Sequence, residues 1–104
     1  MKATTRVTEL AFLHVRPGDG MAFEAAFASV ASLLTGAEGH LRHRLVTSLD
    51  QPDVHLLEVE WTDLAAHVET FEPSDAHTRF MAALEPFLAA EPNVIHVPSR
   101  DIDG

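Results

Sequence analysis

The pattern of apolar and polar positions divides the chain into strands and helices. The stretch "VTELAFLHV" (7–15) is rich in strand-forming residues and is predicted to be a strand. Its side chains alternate between two faces, with Leu10, Phe12 and His14 on one and Ala11, Leu13 and Val15 on the other. Because both faces are largely apolar, we expect this strand to be covered on both sides. The turn "RPGDG" (16–20) follows, with Asp19 placed to cap a helix.

The next elements are a helix and a hairpin. Apolar residues recur at three- and four-residue steps in 21–39, which predicts a helix that Gly36 ends. Two strand-like runs, 40–50 and 54–61, are separated by the turn "DQPD" and form the hairpin. In the second run the expected faces are Leu57, Val59 and Trp61 on one side and Leu56, Glu58 and Glu60 on the other.

The second half of the chain predicts further helices and a last strand. Thr62 or Asp63 caps a short helix. Its expected inward stripe is Leu64, His67, Val68 and Phe71. Ser74 caps a helix that runs to about Leu84, and Pro86 forces a kink or a new turn. The run 93–98 predicts a strand, and 99–104 a polar tail.

This order of elements predicts the fold class. Strand–helix–strand–strand–helix–strand is typical of an α+β, ferredoxin-like split βαβ fold. It has a four-stranded antiparallel sheet with the helices on one face. We expect one domain over 1–104, with its core at about 6–98. The bare face of the sheet needs a cover, so we predict a homodimer formed through that face.

Composition narrows the partners and the chemistry. The formal net charge of -9 disfavours nucleic acid and anionic membranes, which attract clustered Lys and Arg. The absence of cysteine removes disulfides, thiolate catalysis and Cys-ligated metals. No run approaches the ~18 apolar residues of a membrane span, and none has the form of a signal peptide. We therefore predict a cytoplasmic protein.

Four motifs carry a resemblance to a known family. They are "VRPG" after the first strand, "EG" before the second, "EVEWTDLAAH" at the third strand and second helix, and "FEPSDAHTRFMAAL" in the third helix. In this order, over roughly 6–98, the chain resembles the antibiotic biosynthesis monooxygenase (ABM) family of dimeric α+β barrel proteins. The resemblance implies that fold. The family includes cofactor-independent oxygenases of polycyclic phenols and quinols, haem-degrading enzymes, and many members of unassigned activity.

The resemblance also implies positions in a pocket. The family's pocket tryptophan corresponds to Trp61, and a helix residue that is often Tyr or His corresponds to His67. Leu57 stands where some oxygenases have a polar side chain, and Met81 where they have a basic one. In the haem-degrading branch, Phe71 would be a tryptophan, and the haem-ligating histidine would lie near Met81. These departures argue against haem.

Histidines are the candidate catalysts because imidazole titrates near neutral pH. His67, on the predicted buried stripe, is the first candidate for a base that deprotonates a phenol. His77, one turn before Phe80, is the second. The expected substrate-binding residues are Trp61, Phe71, Leu57, Phe80, Met81 and His14. Each also fits a packing interpretation, Trp61 as a gap-filling ring and His67 as a buried neutral histidine.

No metal or cofactor is predicted. His40 and His43 lie three apart on a strand, so they are expected to point to opposite faces and not to chelate together. Phosphate-binding, flavin and nicotinamide motifs are absent from the sequence. An enzyme of this kind would take its chemistry from the substrate and O2.

Three functions remain open from the sequence. The first is a cofactor-independent monooxygenase that acts on a small phenol, quinol or anthrone in an apolar pocket. The second is a non-catalytic protein that binds a small hydrophobic molecule. The third is a cofactor-free isomerase or lyase of the same superfamily.

Overall fold

A computed structural model describes residues 5–100 of the chain. The predicted polar tail therefore lies outside the described residues from position 101 on, as do residues 1–4 of the predicted domain. The strands are β1 (Val7–His14), β2 (His40–Thr47), β3 (Val54–Trp61) and β4 (Asn93–Pro98). The helices are α1 (Gly20–Thr35), a π-helical segment (Ala66–Phe71), α2 (Asp75–Leu84) and a 3₁₀ turn (Glu85–Phe87).

The four strands form a single sheet in the order β2-β3-β1-β4, and all neighbours are antiparallel. The chain crosses one face between β1 and β2 and again between β3 and β4, which places the helices together on that face. This confirms the predicted α+β, ferredoxin-like architecture. The register brings Glu9 of β1 opposite Val59 of β3 on one side and opposite His96 of β4 on the other.

The two faces of the sheet are the predicted ones. Ala11, Leu13, Leu57, Val59 and Trp61 are buried beneath the helices. On the helix side of this core, α1 buries three side chains against the sheet: Phe23, Phe27 and Leu34. Removing this apolar surface from water, at about 25 cal/mol per Å², is the main driving force for the assembly.

The π-helical segment corrects the predicted second helix. Leu64 and Val68, which were expected to face inward, are 48% and 40% exposed. His67 and Phe71 are buried, as expected, and Ala66 is buried in addition. The backbone N–H of Glu72 donates to the carbonyl of His67, 2.8 Å away and five residues earlier, so each turn holds more residues than the assumed 3.6. This wider turn rotates Val68 outward.

The caps are partly the predicted ones. Asp63 accepts from the backbone N–H of Ala66 at 2.8 Å, and Ser74 accepts from that of His77 at 3.1 Å. Both satisfy an otherwise unpaired N–H at the start of a helix. Pro86 lies in the 3₁₀ turn, as expected. Asp19 occupies the N-cap position of α1, as expected, and its backbone carbonyl accepts from the N–H of Phe23 at 2.8 Å, but its side chain makes no capping hydrogen bond.

Gly39 allows the loop before β2 to pack closely against the π-helical segment. Its backbone φ is +89°, a value that residues other than glycine rarely adopt. An added Cβ would lie 2.5 Å from the Cβ of Ala66, too close for any real contact. Its carbonyl accepts from the backbone N–H of Thr62 at 2.8 Å. Gly39 thereby fixes the start of the segment that carries His67.

None of the helices between residues 5 and 100 has the combined length and apolar character needed to cross a bilayer.

Candidate active site

A cavity of about 200 Å³ lies between the sheet and the helices. Its sheet side is made by β1 and β3, and its helix side by the π-helical segment and α2. The lining side chains are Glu9, Ala11, Leu13, Leu34, Leu57, His67, Phe71, Glu72, His77, Phe80, Met81, Leu84, Pro92 and Val94. The more exposed of these, among them Glu72 and Val94, form its outer rim. The interior is thus mostly apolar, with a few polar groups.

Six of the predicted site residues meet in this cavity. They are Leu57, His67, Phe71, His77, Phe80 and Met81. The other two lie elsewhere. Trp61 is fully buried behind His67 and does not line the cavity. His14 lies on the opposite face of the sheet, in a groove with Phe12 and Leu56.

Trp61 holds a carboxyl group in place. Its indole Nε1–H donates to Oε1 of Glu9 at 3.0 Å, and its ring stacks on that of His67 with centroids 5.0 Å apart. The hydrogen bonds that the described residues make to Glu9 all go to Oε1. Glu9 also lines the cavity, so the same carboxyl group contacts Trp61 and borders the apolar space. Trp61 therefore acts on the site through Glu9 and His67.

Glu9, His67 and His96 form a continuous line of titratable groups. Nε2 of His67 lies 3.3 Å from Oε1 of Glu9, and Nδ1 of His67 is hydrogen bonded to Nε2 of His96 at 2.8 Å. Glu9 and His67 are only 7% and 3% exposed, whereas the His96 ring is half-buried on the edge strand β4. The line thus runs from the cavity toward solvent.

Burial moves the pKa values of Glu9 and His67 in opposite directions. Desolvation raises the pKa of Glu9 from 4.5 to about 7, with the Trp61 hydrogen bond opposing the rise and the charge of Glu72 adding to it. Desolvation lowers the pKa of His67 from 6.5 to about 4, and His96 and His77 lower it further. Near neutral pH, His67 is therefore uncharged, and Glu9 exchanges readily between its two protonation states.

Glu72 and His77 complete the polar groups of the site. Oε2 of Glu72 lies 3.9 Å from Nε2 of His67, and this carboxylate is substantially exposed to water. The ring of His77 meets the ring of Phe71 edge-on, with centroids 5.3 Å apart. Both side chains line the cavity, and both are more exposed than Glu9 and His67.

His40 and His43 correct a further expectation. They are not on opposite faces, because the register of β2 shifts between His40 and Arg42. This bulge brings Nε2 of His40 within 2.9 Å of Nδ1 of His43. Desolvation and the neighbouring imidazole lower the pKa of His40, and desolvation lowers that of His43. In the described part of the chain, no group of three His, Asp or Glu residues is arranged to hold a metal ion.

Sequence reasoning missed Glu9 and His96. The signal for Glu9 was available, since strict alternation along β1 puts it on the same side as Ala11 and Leu13. A carboxylate on an otherwise apolar inward face is a candidate functional group. His96 had no comparable signal, because its contact with His67 depends on β4 pairing with β1.

Comparison with known proteins places the chain in a class of small α+β proteins. Its fold matches that of a Bordetella bronchiseptica protein named for the antibiotic biosynthesis monooxygenases, with a TM-score of 0.87 and 26% identity over 94% of this chain and 98% of that one. It also matches SnoaB, a cofactor-independent oxygenase from Streptomyces nogalater. That TM-score is 0.73 at 21% identity, and 96% of each chain is covered.

Sequence comparison then identifies the family. The model of the family "Antibiotic biosynthesis monooxygenase" matches residues 6–83, and the chain belongs to this family. The uncharacterized protein YczJ of Bacillus subtilis (strain 168) is 34% identical over 90 residues, which are 86% of this chain and 95% of that protein. The predicted family is thereby confirmed.

Proposed function

We propose that the protein is a cofactor-independent monooxygenase that oxidises a one-ring phenol or hydroquinone with O2. The observation that carries this proposal is the carboxyl group of Glu9, which faces an apolar cavity and is flanked by Trp61 and His67. Membership of the family supports the reaction class.

The cavity volume supports a small substrate. About 200 Å³ is below the roughly 300–1,000 Å³ of sites for drug-sized ligands. An apolar cavity of about 150 Å³ is known to hold benzene. One aromatic ring with its hydroxyl groups therefore fits this cavity better than the three fused rings of an anthrone. Phe71, Phe80, Leu57 and Met81 supply the apolar contacts.

Glu9 is the proposed base. A phenol has a pKa of about 10, so a carboxylate with an ordinary pKa near 4.5 would deprotonate it only at a cost of about 7 kcal/mol. Raising the pKa of Glu9 to about 7 lowers that cost to about 4 kcal/mol. His67, with its pKa lowered to about 4, is the weaker base and serves as the partner of Glu9. His77 is proposed to hydrogen bond a substrate hydroxyl at the rim.

The reaction balances without a cofactor. Glu9 takes the phenolic proton, and the phenolate transfers one electron to O2. The resulting radicals join in a carbon–oxygen bond, and Glu9 returns its proton to the peroxide. Breaking the ring C–H and O–O bonds then releases water and leaves a hydroxyquinone. One oxygen atom enters the product, the other leaves as water, and the substrate supplies all the electrons. The apolar cavity keeps bulk water from the charged intermediates.

A substrate-size series tests this function. Oxygen uptake is expected to be faster with hydroquinone and its small alkyl derivatives than with anthrone, because the smaller molecules fit the cavity better. Quinones that raise the melting temperature without any oxygen uptake would favour a binding protein instead. Turnover that persists under nitrogen would indicate an isomerase, a function that the Glu9–His67 pair also suits. Consumption of anthrone at the same rate as hydroquinone would contradict the proposed substrate class.

We also propose a homodimer formed through the open face of the sheet. This face carries Phe12, Leu56 and Ile95 toward solvent, and Ile95 is 45% exposed. At one end of this face, Arg42 pairs with Glu60 at 3.5 Å and Arg44 pairs with Glu58 at 2.9 Å. These ion pairs reduce the free-energy cost of covering the two carboxylates with a second copy of the chain. An apolar sheet face of this kind is stabilised by a second copy.

Phe12→Glu is expected to shift the protein from dimer to monomer, because it places a charge at the centre of the apolar face. Sedimentation velocity measures the change. Met21→Glu is the matched control, since Met21 is 88% exposed on α1, on the other side of the molecule. A Phe12→Glu protein that sediments as wild type would contradict an interface at this face.

A further inference from the structure

We propose that Glu9, His67 and His96 form a proton relay that connects the buried cavity to solvent at β4, with His96 as its outer end. This inference rests on the proposed function, in which Glu9 must be ionised before each turnover. Glu9 becomes ionised again when it returns the substrate proton to the peroxide. The relay therefore serves a Glu9 that is protonated when the substrate binds, and it supplies the route by which that proton leaves the filled cavity.

The first observation is the unbroken chain of contacts. Glu9 Oε1 lies 3.3 Å from Nε2 of His67, and Nδ1 of His67 lies 2.8 Å from Nε2 of His96. Each imidazole carries one donor and one acceptor nitrogen when neutral, so a row of such groups can pass a proton by exchanging roles. The ring of Trp61 stacks on that of His67, which restricts rotation of the imidazole out of its plane.

Both protonation states of Glu9 have a matching arrangement of hydrogens. When Glu9 is protonated, its O–H donates to Nε2 of His67, and Nδ1–H of His67 donates to His96. When Glu9 is ionised, Nε2–H of His67 donates to Glu9, and Nε2–H of His96 donates to His67. Moving one proton along each step converts the first arrangement into the second. His96 then releases a proton from Nδ1 to water, so one proton leaves and no group in the relay keeps a positive charge.

The second observation is the gradient of burial along the relay. Glu9 and His67 are enclosed, whereas His96 is half-buried on an edge strand. A positive charge on His67 is unfavourable in this position, which favours concerted transfer over a stable imidazolium. Apart from the relay itself, the titratable groups that face it are Glu72 beside the π-helical segment and His77 on α2. Trp61 of β3 contributes only its N–H.

Nuclear magnetic resonance of the ligand-free protein tests the relay without any substrate. We expect a scalar coupling across the hydrogen bond between Nδ1 of His67 and Nε2 of His96. The proton on His67 is expected to move from Nδ1 to Nε2 as Glu9 ionises. A His67 ring that keeps one tautomer throughout the titration of Glu9 would overturn the relay, whatever the activity of the protein.

Kinetics test the role of His96. His96→Ala is expected to lower oxygen uptake about tenfold in weak buffer at pH 6, where about nine-tenths of Glu9 is protonated when the substrate binds. This loss is smaller than the usual 10²–10⁴-fold contribution of a direct general base. Added imidazole is expected to restore the uptake by filling the space left by the ring. Asn93→Ala, on the opposite face of the same strand, is the control. Unchanged uptake in His96→Ala, or a loss that imidazole does not restore, would refute the relay. Absence of uptake in the wild type would instead refute the proposed function and leave the resonance test in force.

Discussion

Glu9→Gln is expected to lower the rate of hydroquinone oxidation by roughly 100-fold or more, the usual contribution of a general base. Glutamine has nearly the shape of glutamic acid, and its amide oxygen still accepts from Trp61 Nε1. The variant therefore keeps the cavity and loses only the group that accepts the substrate proton. Oxygen uptake at pH 7.5, with hydroquinone at several concentrations, separates the effect on kcat from that on KM.

A control variant separates loss of the base from loss of one negative charge, and a stability measurement separates it from loss of the folded structure. Glu38→Gln removes the same charge from an exposed position in the loop before β2 and is expected to keep wild-type kcat. The free energy of unfolding of Glu9→Gln at pH 8 is expected to exceed that of the wild type, because an ionised Glu9 is costly where it is buried. A Glu9→Gln protein with wild-type kcat would show that another group accepts the proton.

The sequence was sufficient for the strands and their faces. Alternation in β1 and β3 placed Ala11, Leu13, Leu57 and Val59 inward because one face of the sheet is buried and a one-residue slip would expose all of them. The helix start at Ser74 followed from local hydrogen-bonding chemistry that does not depend on the rest of the fold. Features set by near neighbours in the chain were thus predictable.

The errors arose where backbone geometry departs from a regular period. A π-helical turn changed which side chains of the second helix face inward, so Val68 lies outside. A bulge in β2 put His40 and His43 on the same side. Nothing in the residue types at these positions marks the extra residue in the turn or in the strand. Periodic patterns assume regular elements, and they fail locally where an element is irregular.

The candidate site shows a different limit. His67 and Glu9 come from distant parts of the chain, and His96 reaches them only because β4 pairs with β1. The resemblance to the family directed attention to Trp61 as a wall of the pocket. In the structure, Trp61 is sealed behind His67 and donates to Glu9. The predicted position was therefore close to the chemistry, but the group that faces the cavity is the carboxyl group that the indole orients.

The stability of Glu9→Gln and His67→Gln relative to wild type is expected to change with pH in opposite directions. The folded protein raises the pKa of Glu9 from 4.5 to about 7, so Glu9 makes the wild type less stable as pH rises through this range. It lowers the pKa of His67 from 6.5 to about 4, so His67 makes the wild type less stable as pH falls from 6.5 toward 4. At about 1.4 kcal/mol for each pKa unit, each contribution is about 3 kcal/mol.

Between pH 4.5 and 6.5 the pH dependences of these two contributions nearly cancel in the wild type, and each variant removes one of them. The stability of Glu9→Gln minus that of wild type is expected to rise by about 3 kcal/mol from pH 4.5 to 7. The corresponding difference for His67→Gln is expected to fall by about 3 kcal/mol from pH 4 to 6.5. Denaturant unfolding at half-unit steps of pH measures both, and other titrating groups cancel in the subtraction. Parallel profiles for the two variants would mean that Glu9 and His67 do not titrate in opposite directions, and the proposed sharing of a proton between them would then be wrong.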